Sequence, residues 1–177
     1  MDVQWEDVEK EAGPLPPVGM TIAMAFLKKA KKKGDPLYRR FYDSKLEMLT
    51  PLKFYKEYLM TGKGAAVPKQ SLDLVWILEK AERTGGVPVL AHPGANFMHA
   101  DHRDLSLLRE KGLEGLEVHT SYHTKEKTEK YNKLAKELDL VPTTGSDFHG
   151  ILKPHVPFGC MEDGDYTMVE ELKKRRP

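Results

Sequence analysis

Apolar residues along the second half of the chain recur in two alternating rhythms. From Ser71 to Thr84 they fall at Leu72, Val75, Trp76, Leu78 and Ala81, close to helical spacing. Ser71 can cap this helix and Gly85-Gly86 can end it. A short apolar strand, Val87 to Ala91, follows. Asp104 to Lys111 reads as a helix stopped by Gly112, and Gly115 to His119 as a second strand. Thr124 to Leu138 is a longer helix with Tyr131, Leu134, Ala135 and Leu138 on one face, and Leu140 to Thr144 is a third strand. Helix and strand in strict alternation, with nearly continuous apolar strands, predict an α/β fold with a parallel sheet.

The first third has a different texture. Pro14, Pro16 and Pro17 mark a loop. Thr21 to Lys33 has Ile22, Ala25, Phe26, Lys29 and Ala30 at helical spacing. Asp35-Pro36 starts a helix that is expected to run to Met48, and Thr50-Pro51 starts another. The aromatics Tyr38, Phe41, Tyr42, Phe54, Tyr55 and Tyr58 predict the core of a small helical subdomain over residues 1–70, rather than a base-stacking surface. Lys28 to Lys33 holds five lysines, which suit a solvated helix C-terminus and its dipole better than a nucleic-acid contact.

In parallel sheets the functional groups gather at the C-terminal ends of the strands. His92, His119 and the pair Asp147/His149 all fall there. Asp147 and His149 stand two residues apart in Thr144-Gly145-Ser146-Asp147-Phe148-His149-Gly150, so an extended backbone would point both to one side. Carboxylate with imidazole is a ligand pair for a borderline divalent ion, and equally a structural Asp–His hydrogen bond. His92 ends the first strand in Val87-Pro88-Val89-Leu90-Ala91-His92-Pro93-Gly94. His99 and His102 lie in a polar loop and read as surface residues, and His155 sits between two prolines.

These segments together resemble the polymerase-and-histidinol-phosphatase (PHP) phosphoesterases. The branch of nucleotide and RNA 5′-end phosphoesterases is the nearest. The residues that carry the resemblance are Gly85 to Gly94, Gly112-Leu113-Glu114-Gly115-Leu116-Glu117-Val118, Ser121-Tyr122-His123-Thr124 and Thr144 to Gly150. A weaker match runs from Gly62 to Lys69, the link between the family's helical insertion and its barrel. The resemblance implies the C-terminal part (residues 71–177) of a distorted, TIM-like βα barrel that holds divalent metal ions such as manganese, zinc or iron. It implies His92, Asp147 and His149 as metal ligands and His123 near the substrate phosphate, as a catalytic and substrate-binding group. Glu117 falls on a motif position with no assigned role. The implied substrates are phosphate esters of nucleotides or of RNA or DNA 5′ ends.

The sequence also departs from the family pattern. It has no His-x-His pair, and Ala95 follows His-Pro-Gly where the family often has Arg. Gly19-Met20-Thr21-Ile22 stands where the insertion often has Gly-Arg-Pro-His. The chain is therefore expected to hold an incomplete metal site and to be weak or inactive alone. The alternative is a degenerate module that binds a partner or a single metal without catalysis.

Composition narrows this only a little. At 177 residues the chain can bury a real core. A formal net charge of +1 argues against nucleic-acid binding through bulk charge. Cys160 is the only cysteine, so no intrachain disulfide forms, which suits a reducing cytoplasm. No stretch predicts a membrane span. An open parallel sheet edge predicts a homodimer that covers it.

Overall fold

The computed structural model describes residues 2–42, 49–66, 71–150, 153, 155–161 and 163–176. The expected helix end at Met48 and the Val67-Pro68-Lys69 part of the link lie outside them. The chain divides into two compact units, residues 1–70 and 71–177.

The first unit is helical. α1 (Trp5–Ala12) and α2 (Gly19–Lys33) pack together, followed by α3 (Pro36–Phe41), α4 (Leu49–Phe54) and a π-helical turn, Tyr55–Leu59. The Thr21 hydroxyl accepts the Val18 amide at 2.9 Å to start α2, and Gly34 in the left-handed region ends it. Asp35 caps α3 through the Leu37 amide at 2.8 Å, with Pro36 in the first turn. Ala23, Leu27, Phe41 and Phe54 are buried as one cluster. Phe41 meets Phe54 and Tyr58 edge-on, at 5.4 and 5.8 Å. Of the lysine run, Lys28 pairs with Glu11 and Lys29 with Asp7, both at 2.7 Å.

The second unit holds the alternating elements. α5 (Leu74–Arg83) leads to β1 (Val89–Leu90), α6 (His102–Glu110) to β2 (Gly115–Thr120), and α7 (Lys125–Glu137) to β3 (Val141–Gly145), with α8 (Thr167–Lys174) last. Asp73, not Ser71, caps α5, accepting the Trp76 amide at 2.9 Å. Asp101 caps α6 two residues earlier than expected, in a reciprocal pair with Asp104. The strands pair in parallel in the order β1-β2-β3, with Val89 beside Gly115 and Gly115 beside Val141. A closed barrel of the expected kind takes about eight such strands. The three seen among the described residues form an open sheet and do not close one.

β2 alternates. Leu116 and Val118 are fully buried, whereas Glu117 and His119 are half-buried, and the register with β3 shifts between them. Leu116 and Val118 pack with Leu105, Leu113, Tyr131, Leu134, Ala135 and Leu140 in one cluster. No helix among the described residues is long and apolar enough to cross a membrane.

Two polar devices fasten this unit. The buried Tyr131 hydroxyl lies 2.9 Å from the Pro93 carbonyl and 3.1 Å from that of Ala100, closing the loop after β1. Near the opposite ends of the strands, Arg175 grips Asp139 with both nitrogens at 2.7 Å, and Arg109 joins Asp139 and Glu114. Arg175, with Arg109 beside it, holds the Asp139 carboxyl down at about 2.

Tyr131→Phe removes a buried donor and leaves its acceptors short. It should cost about 1–2 kcal/mol in urea unfolding, and an unchanged midpoint would show that the loop is held by packing alone. The Asp139 pairs should show in acid. The folded pKa lies below the ordinary 3.8, so the ionised carboxylate favours the fold above about pH 4 and loses that effect as pH falls towards 2. Asp139 is 72% exposed, so water screens the pairs and the effect is small. Asp139→Asn should flatten the melting temperature against pH in that window, and an equally steep limb would place the acid sensitivity elsewhere.

Candidate functional site

The loops that leave β1 and β3 carry backbone strain. His92 has φ 33° and Asp147 φ 52°. The left-handed region is uncommon for residues other than glycine, and tolerated better by Asp than by a bulkier ring. Such a residue costs on the order of 1–3 kcal/mol and persists only where its surroundings hold it.

His92 is held from three sides. Its amide donates to Glu117 Oε2 at 2.7 Å. Its ring meets those of Phe97 and Tyr122 edge-on, each at 5.3 Å. Its Nδ1 is buried with no hydrogen-bond partner. Glu117 reaches it from the middle strand. Burial pushes the Glu117 carboxyl up, against the stabilising His92 amide. The carboxylate lies over Gly145 on β3, where a Cβ would collide with Oε1. Gly145 is thus a seat for Glu117, and Glu117 ties the ends of all three strands together.

Asp147 faces a different set. Its Oδ2 accepts the Tyr122 hydroxyl at 2.7 Å and also the Lys153 ammonium, which itself lies 4.6 Å from the centre of the Tyr122 ring. Burial works against the charge, yet Lys153 and Tyr122 hold the carboxyl below its usual range. His149 Nδ1 donates to the Asp147 backbone carbonyl at 2.7 Å and lies 3.5 Å from its Oδ1. Ser121 fastens the same loop through the Ser146 carbonyl at 2.8 Å.

His123 lies against the His92 loop, but both of its nitrogens are engaged. Nδ1 donates to the Val118 carbonyl at 2.8 Å, and Nε2 accepts the Gly94 amide at 3.0 Å. Its ring stacks on Tyr131 with centroids 4.9 Å apart. Burial, with Lys127 nearby, lowers its pKa, so the neutral ring suits both bonds. Lys127 donates to the Gly94 carbonyl at 2.7 Å. His119 lies 3.4 Å from Asp163, while His99, His102 and His155 are exposed.

The structure therefore brings Asp147 and His149 together and connects His92 to them through Tyr122. Among the described residues no three His, Cys, Asp or Glu side chains stand close enough to hold a metal ion. The three expected ligands do not share one coordination sphere here, and the Lys153 ammonium occupies the cation's place on Asp147. The donor chemistry still suits a borderline divalent ion: imidazole, carboxylate, and a buried His92 nitrogen without a partner. Sequence reasoning left Glu117 without a role and did not single out Tyr122 or Lys153. The signal for Glu117 was present, as a carboxylate between two buried apolar residues of one strand.

No family model matches the chain. A curated relative, the 5′-3′ exoribonuclease of Haemophilus influenzae, is 33% identical over 97 residues, which are 54% of this chain and 35% of that protein. Among solved structures, a provisionally named metal-dependent phosphoesterase from Bifidobacterium adolescentis superposes with a TM-score of 0.69 at 24% identity, over 100% of this chain and 58% of its own. An amidohydrolase from Chromobacterium violaceum, solved with bound sulfate and no metal, gives 0.59 at 22% identity, over 96% of this chain and 62% of its own. The chain thus spans about a third of the length of the curated relative. The fold it shares with the two structures is a mixed α/β one, of a kind found in a metal-dependent phosphoesterase.

Gly145→Ala should displace the Glu117 carboxylate from its seat. The expected cost is about 1–3 kcal/mol, as for other overpacked sites, with a large shift of the His92 amide resonance in a nitrogen–proton NMR spectrum. Wild-type stability with an unmoved His92 amide would show that the carboxylate is not seated there.

Proposed function

We propose that this chain is part of a metal-dependent phosphoesterase of the PHP type, acting on phosphate esters of nucleotides or of RNA or DNA 5′ ends. The observation that carries this reading is the strained Asp147, paired with His149 at the end of β3 and joined through Tyr122 to the strained His92 at the end of β1. Strain of this kind concentrates where side-chain direction matters more than stability. The likeness to a metal-dependent phosphoesterase and the partial identity to a 5′-3′ exoribonuclease support the same class. On this reading the three parallel strands are the C-terminal part of a TIM-like barrel.

His92, Asp147 and His149 are the residues that would hold a divalent ion. Such an ion supplies a water of lowered pKa and neutralises charge on phosphate oxygens. His123 acts as a positioning residue, fixing the amide of Gly94 and through it the His92 loop. Glu117 orients the His92 backbone. Lys127 brings positive charge to the loop where the family pattern often has Arg and this chain has Ala95, and Lys153 brings it to Asp147.

One observation favours the non-catalytic alternative. The Lys153 ammonium already neutralises Asp147, as a permanent internal cation would. The sequence also carries no His-x-His pair. Members of a metal cluster act as a unit, so a partial set loses most of the rate.

The reading predicts weak binding of one manganese or zinc ion per chain by calorimetry, abolished in Asp147→Ala. Turnover of a nucleoside monophosphate, adenosine 3′,5′-bisphosphate or 5′-phosphorylated RNA should be slow, and lost in the same variant. Absence of metal binding in the wild-type chain, both alone and with the nucleotide present, would overturn the phosphoesterase reading.

A further inference from the structure

Phe97 is 70% exposed, yet it is not a loose side chain. Its loop is closed at the base. The Ala100 amide donates to the Pro93 carbonyl at 3.0 Å, and the Tyr131 hydroxyl bonds the carbonyls of both residues. Inside the loop, the Ala95 amide bonds the His92 carbonyl at 3.0 Å and the Met98 amide bonds that of Ala95 at 2.9 Å. Ala95 itself is buried. The Phe97 ring then rests on two others, His92 at 5.3 Å and Tyr122 at 5.5 Å, perpendicular to the latter.

A benzyl group so fixed leaves an apolar face in water. One side of the ring steadies His92 and Tyr122; the other faces water and has no partner among the described residues. The ring is also coupled to the site: Tyr122, one of its two supports, donates to Asp147. An aromatic face supported by two rings beside a candidate phosphate site suits a flat ring carried by the same substrate. Nucleobases meet that description, and stacking on a protein aromatic is worth about 1–3 kcal/mol per base. Holding the ring in advance lowers the ordering cost of binding.

We propose that Phe97 is the stacking platform for a nucleobase of a substrate whose phosphate lies at Asp147 and His149. This rests on the phosphoesterase reading above and adds a specificity residue to it. Recognition through one π-face tolerates any base, so discrimination should run between nucleotides and base-free sugar phosphates, not among the four bases.

The experiment compares adenosine 5′-monophosphate with ribose 5-phosphate on the full 177-residue chain, with manganese present, by calorimetry. Phe97→Leu keeps an apolar side chain against His92 and removes the π-face, and it should weaken the nucleotide about tenfold more than it weakens ribose 5-phosphate. Phe97→Trp should restore nucleotide affinity, and its indole fluorescence should be quenched by the nucleotide but not by the sugar phosphate. Equal effects of Phe97→Leu on both ligands, or none on either, would overturn the platform. If ribose 5-phosphate binds as tightly as the nucleotide and loses binding in Asp147→Ala, the platform falls while the phosphate site stands. Failure of the wild-type chain to bind either ligand overturns both.

Discussion

Much of the second unit hangs on what α7 does to one loop. Tyr131, fully buried between the sheet and its helices, turns its hydroxyl to the carbonyls of Pro93 and Ala100. Its neighbours on the same helix side add to this. His123, just before α7, takes the Gly94 amide, and Lys127 takes the Gly94 carbonyl. A loop packed against a core must find partners for its backbone groups away from water. Here one helix and its approach satisfy them, so the apolar packing that stabilises the sheet also sets the geometry of the loop that begins with His92. A core residue and a site residue are mechanically the same thing in this region. Tyr131 is both.

That arrangement lets strain be stored. His92 would relax from φ 33° if its neighbours allowed it. On one side the Glu117 carboxylate holds its amide, and on the other Phe97 and Tyr122 hold its ring. Glu117 can do so only because Gly145 gives it room on the next strand. The three strand ends are thus linked in series, from Gly145 through Glu117 to His92. The ion pairs around Asp139, itself mostly exposed, lie towards the other ends of the strands, so they anchor α8 without touching this chain of contacts. These linked contacts lie on the rim where the candidate chemistry lies.

The alternation of helix and strand was legible because it is written in apolar spacing, but spacing did not always report burial. Of the residues expected on the inner face of the helix before β1, Leu78 is buried while Leu72 and Trp76 are exposed. Leu116 and Val118, Tyr131 and Leu134 all sit where their pattern says. Caps were less legible. Ser71, Asp73 and Asp101 are all able caps, and only the backbone path decides which one meets an amide. The candidate residues could be named from the sequence, but their geometry could not. Asp147 and His149 approach one another, but through a left-handed turn and not through the extended strand that a two-residue spacing suggests. His123 looked available as a polar group near the rim, yet a neutral imidazole has one donor and one acceptor, and the backbone takes both. Which groups remain free after the backbone is satisfied is a three-dimensional question.

Lys153 is where the two functional readings part. A carboxylate half-withdrawn from water needs a counter-charge, and in the absence of a metal a flexible ammonium is the nearest one. The contact therefore does not by itself mark Asp147 as structural. It does set a condition on binding. A divalent ion must release Lys153 before it can use that oxygen, and the cost of release comes out of the metal's affinity. Freed, the ammonium would stand beside the Tyr122 hydroxyl, close to where an anionic ester would be drawn. On the proposed reading the same lysine would weaken the hold on metal and supply charge for a phosphate once it is displaced, coupling the two binding events in the same direction. Metal would then bind far better with substrate than without it.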